Sequence, residues 1–311
     1  MVNTIKLYQP LMRAAMKLAG VRPRKIEIEP GTVMNFWAPT RTPNKNKNAV
    51  VFLHSFVGDG MITWQLQVLA LARKYAVYVP DLLFFGGSAT GDSRRTVDFQ
   101  AECVAKGLAA LGLQQCTVVG SSYGGMVAFK LAESRPELVK SVVGTCTVPV
   151  LTESISKECL ERLGFPTWSD LLLPNSVDGV KKMFEVGSHK LPRIPNRVFE
   201  DGLEVMFDYR KEKAELLEAL VIPDEDFTLP DYSQKVHLVC GADDNIFNVG
   251  LVKDIKGKLG NKATMECIEK AGHLAMLERP FVYNKCLKRI LASIYGSVQE
   301  GDSRSQGWIG D

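Results

Sequence analysis

The sequence lacks several features that would each decide its class. It has no run of about 18 apolar residues, so no membrane-spanning helix is expected. Its first residues, MVNTIKLYQPLMRAAMKLAG, show neither the continuous apolar stretch nor the small-residue cleavage site of a secretory leader. No retention, prenylation or peroxisomal signal ends the chain. Charge of one sign is missing as well: 38 Lys and Arg stand against 35 Asp and Glu, a formal +3. Neither nucleic acid nor an acidic substrate is implied by that balance. The seven cysteines are widely spaced, form no CxxC pair and often sit inside apolar runs. They are expected to be reduced core thiols of a cytoplasmic protein, with no metal and no cofactor. A G-x-G-x-x-G with a downstream ribose-binding acid is also absent, which disfavours dinucleotide binding.

What is present is an ordinary globular composition. The chain has 311 residues, 46% hydrophobic and 23% charged, enough for one large domain or a domain with a sizeable insertion. Residues 3–19 set Ile5, Tyr8, Leu11, Met12, Ala15, Met16 and Ala19 at helical spacing, with Lys6, Arg13 and Lys17 between them. This amphipathic helix, within a segment 1–24, packs on its own domain or makes a peripheral membrane or dimer contact. KIEIE at 25–29 and TVMNFW at 32–37, split by Pro30-Gly31, read as an antiparallel hairpin, and TRTPNKNKN at 40–48 as a polar turn. Short Val-rich strands at 49–54, 76–80, 116–120 and 141–148 then alternate with helices at 62–74, 95–111 and 123–134. That rhythm implies a parallel sheet buried on both faces. It breaks at Pro149 and resumes with KVHLVCG at 235–241, a helix at 248–259, ATMECIE at 263–269 and a last helix at 280–295. The organisation is therefore a core over 25–148 and 233–295, a helical insertion over 149–232, and a loose polar tail from 296 to 311.

The strongest chemical signal is Gly120-Ser121-Ser122-Tyr123-Gly124, lodged between a strand and a helix. G-x-S-x-G in that setting holds a serine on a tight turn with its hydroxyl outward and helix N–H groups behind it. A serine nucleophile needs a base. His273, in a glycine-preceded loop after the last strand, fits better than His237, which opens a core strand, or His189 in the insertion. The base needs an orienting acid, for which either Asp243 or Asp244 stands in the loop after 235–241. Oxyanion donors are expected from the N–H of Tyr123 and from the loop His54-Ser55-Phe56-Val57-Gly58, with Phe56 as the natural contributor.

Together these residues resemble the α/β-hydrolase superfamily across about residues 25–295. LHSFVGDG at 53–60 is similar to its oxyanion motif, VVGSSYGG at 118–125 to its nucleophile elbow, VCGADDNIF at 239–247 to its acid loop, and AGHLAMLERP at 271–280 to its histidine motif. PDLLFFGGS at 80–88 resembles a further loop of the family. The resemblance implies a mostly parallel eight-stranded sheet with an inserted helical cap, and a Ser122–Asp244–His273 triad with Asp243 as runner-up. Within the family the chain looks like capped serine hydrolases, plant members related to monoacylglycerol lipases and meta-cleavage-product hydrolases. Epoxide hydrolases of this fold use an Asp nucleophile, so that chemistry is disfavoured. The implied substrate is a small molecule with a mainly apolar acyl group. A dienoate cleaved at a carbon–carbon bond is the first alternative, and a slow-turnover receptor the second. His54, Ser55 and Trp64 near the oxyanion loop, and Trp168, Met183 and Phe184 from the insertion, are the pocket candidates. Ser55 departs from the family, which usually has glycine there; it is expected to narrow the entrance or offer a hydroxyl to substrate.

Overall fold

A computed structural model describes residues 3–41 and 47–296. The tail beyond 296 and the middle of the polar turn at 40–48 lie outside the described residues. The chain opens with helix α1 (Thr4–Leu18), started by Asn3, whose side chain accepts the N–H groups of Ile5 and Lys6. Strands β1 (Val21–Glu29) and β2 (Thr32–Pro39) form the expected hairpin about Pro30-Gly31. The alternating part follows: β3 (Ala49–Leu53), α2 (Gly60–Leu71), β4 (Ala76–Pro80), the two-residue β5 (Ala89–Thr90), α3 (Val97–Ala110), β6 (Cys116–Ser121), α4 (Tyr123–Ser134) and β7 (Val139–Thr145).

Between Thr145 and Lys235 lie β8 (Leu151–Thr152), helices α5 (Glu153–Leu163), α6 (Trp168–Leu172), α7 (Val177–Gly187), α8 (Asn196–Val205) and α9 (Arg210–Glu218), and β9 (Val221–Ile222). Strands β8 and β9 pair in parallel through Leu151–Val221 and Thr152–Ile222, so the two ends of this helical stretch lie side by side. The chain then closes with β10 (Lys235–Gly241), α10 (Val249–Leu259), β11 (Ala263–Ile268), α11 (Ala275–Glu278) and α12 (Pro280–Gly296).

The sheet runs β1-β2-β4-β3-β6-β7-β10-β11, with β5 added beside β2. Among the described residues this sheet thus has nine strands rather than eight, because the short β5 pairs with Thr32 and Val33 at the start of β2. Only β2 runs against its neighbours; the pairs from β4 onward are parallel. Side-chain alternation on the strands divides the core in two. Val51, Leu53 and Val118 join one buried cluster, while Val50, Phe52 and Val119 join another.

One expectation about cysteine fails. Cys240 and Cys267 are register partners on β10 and β11, and the structure joins them as a disulfide with Cα atoms 4.7 Å apart. A separation of 27 residues in sequence gives no hint that a parallel pairing sets the two side by side. Cys103, Cys116, Cys146, Cys159 and Cys286 are free and buried.

Candidate active site

The parallel strands end together. Leu53 pairs with Gly120, Ser121 with Thr145, Thr145 with Val239, and Gly241 with Ile268. The segments that follow these strands therefore open on one edge of the sheet, the edge on which open α/β sheets place their sites. Ser122 stands first there, with φ 52° and ψ −119°, a region L-residues avoid unless their surroundings force it. The forcing contacts are visible. Its N–H donates to Thr145 O (3.0 Å), and its carbonyl accepts the Thr147 hydroxyl (2.7 Å). A Cβ on Gly124 would lie 2.4 Å from the His54 carbonyl oxygen, and one on Gly120 2.3 Å from that of Gly124. Only glycine lets strand, turn and helix approach so closely. Thr147 has no motif of its own and escapes sequence reasoning; its position just after β7 is the only pointer to it.

The structure brings Asp244, not Asp243, to His273. The His273 Nδ1–Asp244 Oδ2 distance is 2.9 Å, and both side chains are buried. Asp244 Oδ1 also accepts the N–H groups of Ile246 (2.8 Å) and Phe247 (3.1 Å), which fixes the carboxylate. Asp243 is exposed and pairs with His189 Nδ1 at 3.0 Å. Glu278 anchors the histidine loop by accepting from Gly272 N (2.8 Å) and His189 N (2.8 Å). Beneath the pair lies Cys146, whose sulfur falls with the Asp244 and His273 donor atoms within one 4.8 Å set. Burial, then the Asp244 charge, push that thiol well up, so it stays protonated and is no nucleophile. Ser122 Oγ has no hydrogen-bond partner among the described residues.

Phe56 and Tyr123, the expected oxyanion residues, touch edge to face with ring centroids 5.5 Å apart, and both rings pack on Phe85. The two main-chain segments are thereby held in register by aromatic contacts. Three pocket candidates are corrected. His54 is fully buried and spans the chain: its Nδ1–H donates to Ser55 O (2.7 Å) and its Nε2 accepts Leu82 N–H (2.9 Å). Burial lowers its pKa to about 4, so the imidazole stays neutral in this bridge. Ser55 donates its hydroxyl to Ser121 Oγ (2.9 Å) and is buried; it ties the loop after β3 to the end of β6, and its hydroxyl is spent there. Trp64 lies within the second core cluster between Phe52 and Tyr283, at 5.0 and 6.2 Å, because α2 turns it toward the sheet. Trp168 reaches the imidazole only through Phe247, which packs on both rings, and it donates Nε1–H to Ser156 (2.8 Å). Met183 is buried in the first cluster, and Phe184 packs on Phe199.

After β4, Asp81 accepts from Gly60 N, Gly87 N and Asn35 Nδ2 at 3.1, 2.9 and 2.9 Å. Burial first, then the neighbouring Asp59, push its carboxyl up to about 7. A polar cavity of about 490 Å³ borders these groups together with Arg13 and Lys213; Ser122 does not line it.

Residues 48–176 match the family described as the alpha/beta hydrolase fold. A pimeloyl-[acyl-carrier protein] methyl ester esterase of Aeromonas hydrophila is 35% identical over 100 residues, 32% of this chain and 38% of that protein. The match thus spans well under half of that relative. Among solved structures, a membrane phospholipase A described as a bacterial virulence factor superposes with a TM-score of 0.77 at 23% identity, covering 93% of this chain and 92% of the other. A 2-hydroxy-6-oxo-6-phenylhexa-2,4-dienoate hydrolase from a Rhodococcus strain does so with a TM-score of 0.72 at 18% identity, covering 88% and 98%.

Proposed function

This chain has the α/β-hydrolase fold, and from that premise we propose that it hydrolyses carboxylic esters of a mainly apolar acyl group, with Ser122 as nucleophile. The observation that carries the reading is the strained Ser122 backbone at the β6–α4 turn, on the same sheet edge as the buried Asp244–His273 pair. His273 takes the Ser122 proton as Oγ attacks the ester carbonyl and returns it to the departing alcohol; Asp244 holds the imidazole tautomer and stabilises the imidazolium. The N–H groups of Phe56 and Tyr123 receive the oxyanion. Water, activated by the same histidine, then releases the acid from the acyl-enzyme. The helical stretch between β7 and β10 acts as a cap over this edge, and its apolar residues favour an acyl chain over a polar one.

A fluorophosphonate probe is expected to label Ser122, and Ser122→Ala should lower kcat on short p-nitrophenyl esters by at least about three orders of magnitude. Absence of labelling together with absence of ester turnover would sink the proposal. Turnover of a dienoate without turnover of esters would move the same triad to carbon–carbon cleavage.

A further inference from the structure

Eight large hydrophobic side chains are exposed among the described residues. Seven of them lie on three helices: Leu7, Tyr8, Leu11 and Leu18 on α1, Leu69 on α2, and Phe281 and Val282 on α12. Leu18 and Phe281 are 90% and 89% exposed. The three helices adjoin. Tyr8 Oη donates to Gln65 Oε1 (2.6 Å), and Gln67 Nε2 donates to Asn284 Oδ1 (3.1 Å). On α1 the positions 7, 11, 14 and 18 fall on one solvent-facing stripe, separate from the Met12 and Met16 side that meets the core. One apolar face would seat the helix; a second needs another partner.

Charge on this flank is one-sided. The chain carries 35 acidic residues, yet α1, α2 and α12, with 15, 12 and 17 residues, contain none. They carry Lys6, Arg13, Lys17, Lys285, Lys288 and Arg289. Glu204 pairs with Lys6 and Glu266 with Arg289. Of the other four, Arg13 faces Asp59, the residue that caps α2, whereas Lys17, Lys285 and Lys288 are exposed and have no ion-pair partner among the described residues. A shallow trough lined by Leu66, Leu69, Ala70, Pro280 and Phe281 also has Lys285 and Lys288 on its walls. Apolar side chains beside cations are the combination that lies in the interface of an anionic bilayer.

We infer that the α1–α2–α12 flank docks on an anionic membrane surface, with the leucines and Phe281 entering the acyl boundary and the lysines meeting lipid headgroups. A second copy of this chain is a poorer occupant, because a two-fold contact would set the same cations against each other. Among the described residues no helix is long and apolar enough to cross a membrane; the contact inferred is a peripheral one. The inference does not depend on the role of Ser122.

Flotation of the full chain with vesicles of phosphatidylcholine, with or without phosphatidylserine, tests it. Binding is expected to be at least about tenfold stronger with phosphatidylserine and to fade at high salt. Leu11→Glu with Phe281→Glu, and separately Lys285→Glu with Lys288→Glu, should each weaken it at least about tenfold. Fluorophosphonate labelling and thermal unfolding of these variants should stay at wild-type level. No binding to either vesicle, equal binding to both, or a dimer in sedimentation that Leu11→Glu dissolves would overturn the assignment.

Discussion

At the scale of single residues, His54 makes the clearest pH prediction. Its folded pKa is depressed, from 6.5 to about 4. The neutral ring therefore stabilises the fold fully above pH 6.5, and that contribution is lost as pH falls toward 4, about 3 kcal/mol in all at 1.36 kcal/mol per unit. His54→Gln should be less stable than wild type at pH 7, and the gap between the two should close as pH falls. Urea unfolding of both proteins across pH 7 to 4.5 reads this directly; parallel curves would refute it. The same residue marks a limit of sequence reading. His54 could be placed at the end of β3, but nothing in HSFVG reveals that its ring would bridge Ser55 and Leu82. Residue chemistry alone leaves Asp243 and Asp244 equal, and only the family resemblance favours Asp244, because which of two adjacent carboxylates turns inward depends on the N–H groups of Ile246 and Phe247 that capture one of them.

Elements were far more legible than side-chain environments. Strand–Gly120-x-Ser122-x-Gly124–helix is a local pattern, and its meaning survives without knowledge of neighbours. The Val-rich runs announced β3, β4 and β6 because strands buried on both faces must be apolar throughout. Trp64 lies away from its expected place for the opposite reason: α2 is apolar nearly all round, with eight of its residues buried, so periodicity does not say which side faces the site. The elbow itself admits a sharp test. In Gly124→Ala the new Cβ would lie 2.4 to 2.5 Å from main-chain atoms of Leu53 and His54, and no rotamer change can relieve a backbone contact. Unfolding free energy should fall by about 3 kcal/mol, and on the proposed function ester turnover should fall further than stability alone explains, since the atoms displaced lead straight into the loop expected to supply the Phe56 N–H. A variant with wild-type denaturation and turnover would show that the close packing of this turn is dispensable.

For the molecule as a whole, α1 ties the helical stretch to the core. Asp201 at α8 accepts the Thr4 N–H and Thr4 hydroxyl, both at 2.7 Å, and the Asn3 side chain donates to its carbonyl, while Tyr8 holds the far side to α2. Asp201→Ala should release this strap, and amide hydrogen exchange in α1 should accelerate by at least about an order of magnitude while exchange in β6 and β7 stays slow. Unchanged exchange would mean that packing alone seats the helix. The parallel pair β8–β9 has a different consequence. With Leu151 beside Val221 and Thr152 beside Ile222 in a two-stranded sheet of their own, everything between them departs from and returns to one point, as a tolerated insertion does. The stretch is in effect a cassette: a shorter or foreign segment spliced between those residues would meet the same doorway, and on the proposed reading of it as a cap, selectivity would be exchanged in one piece while the sheet edge goes on presenting the same serine.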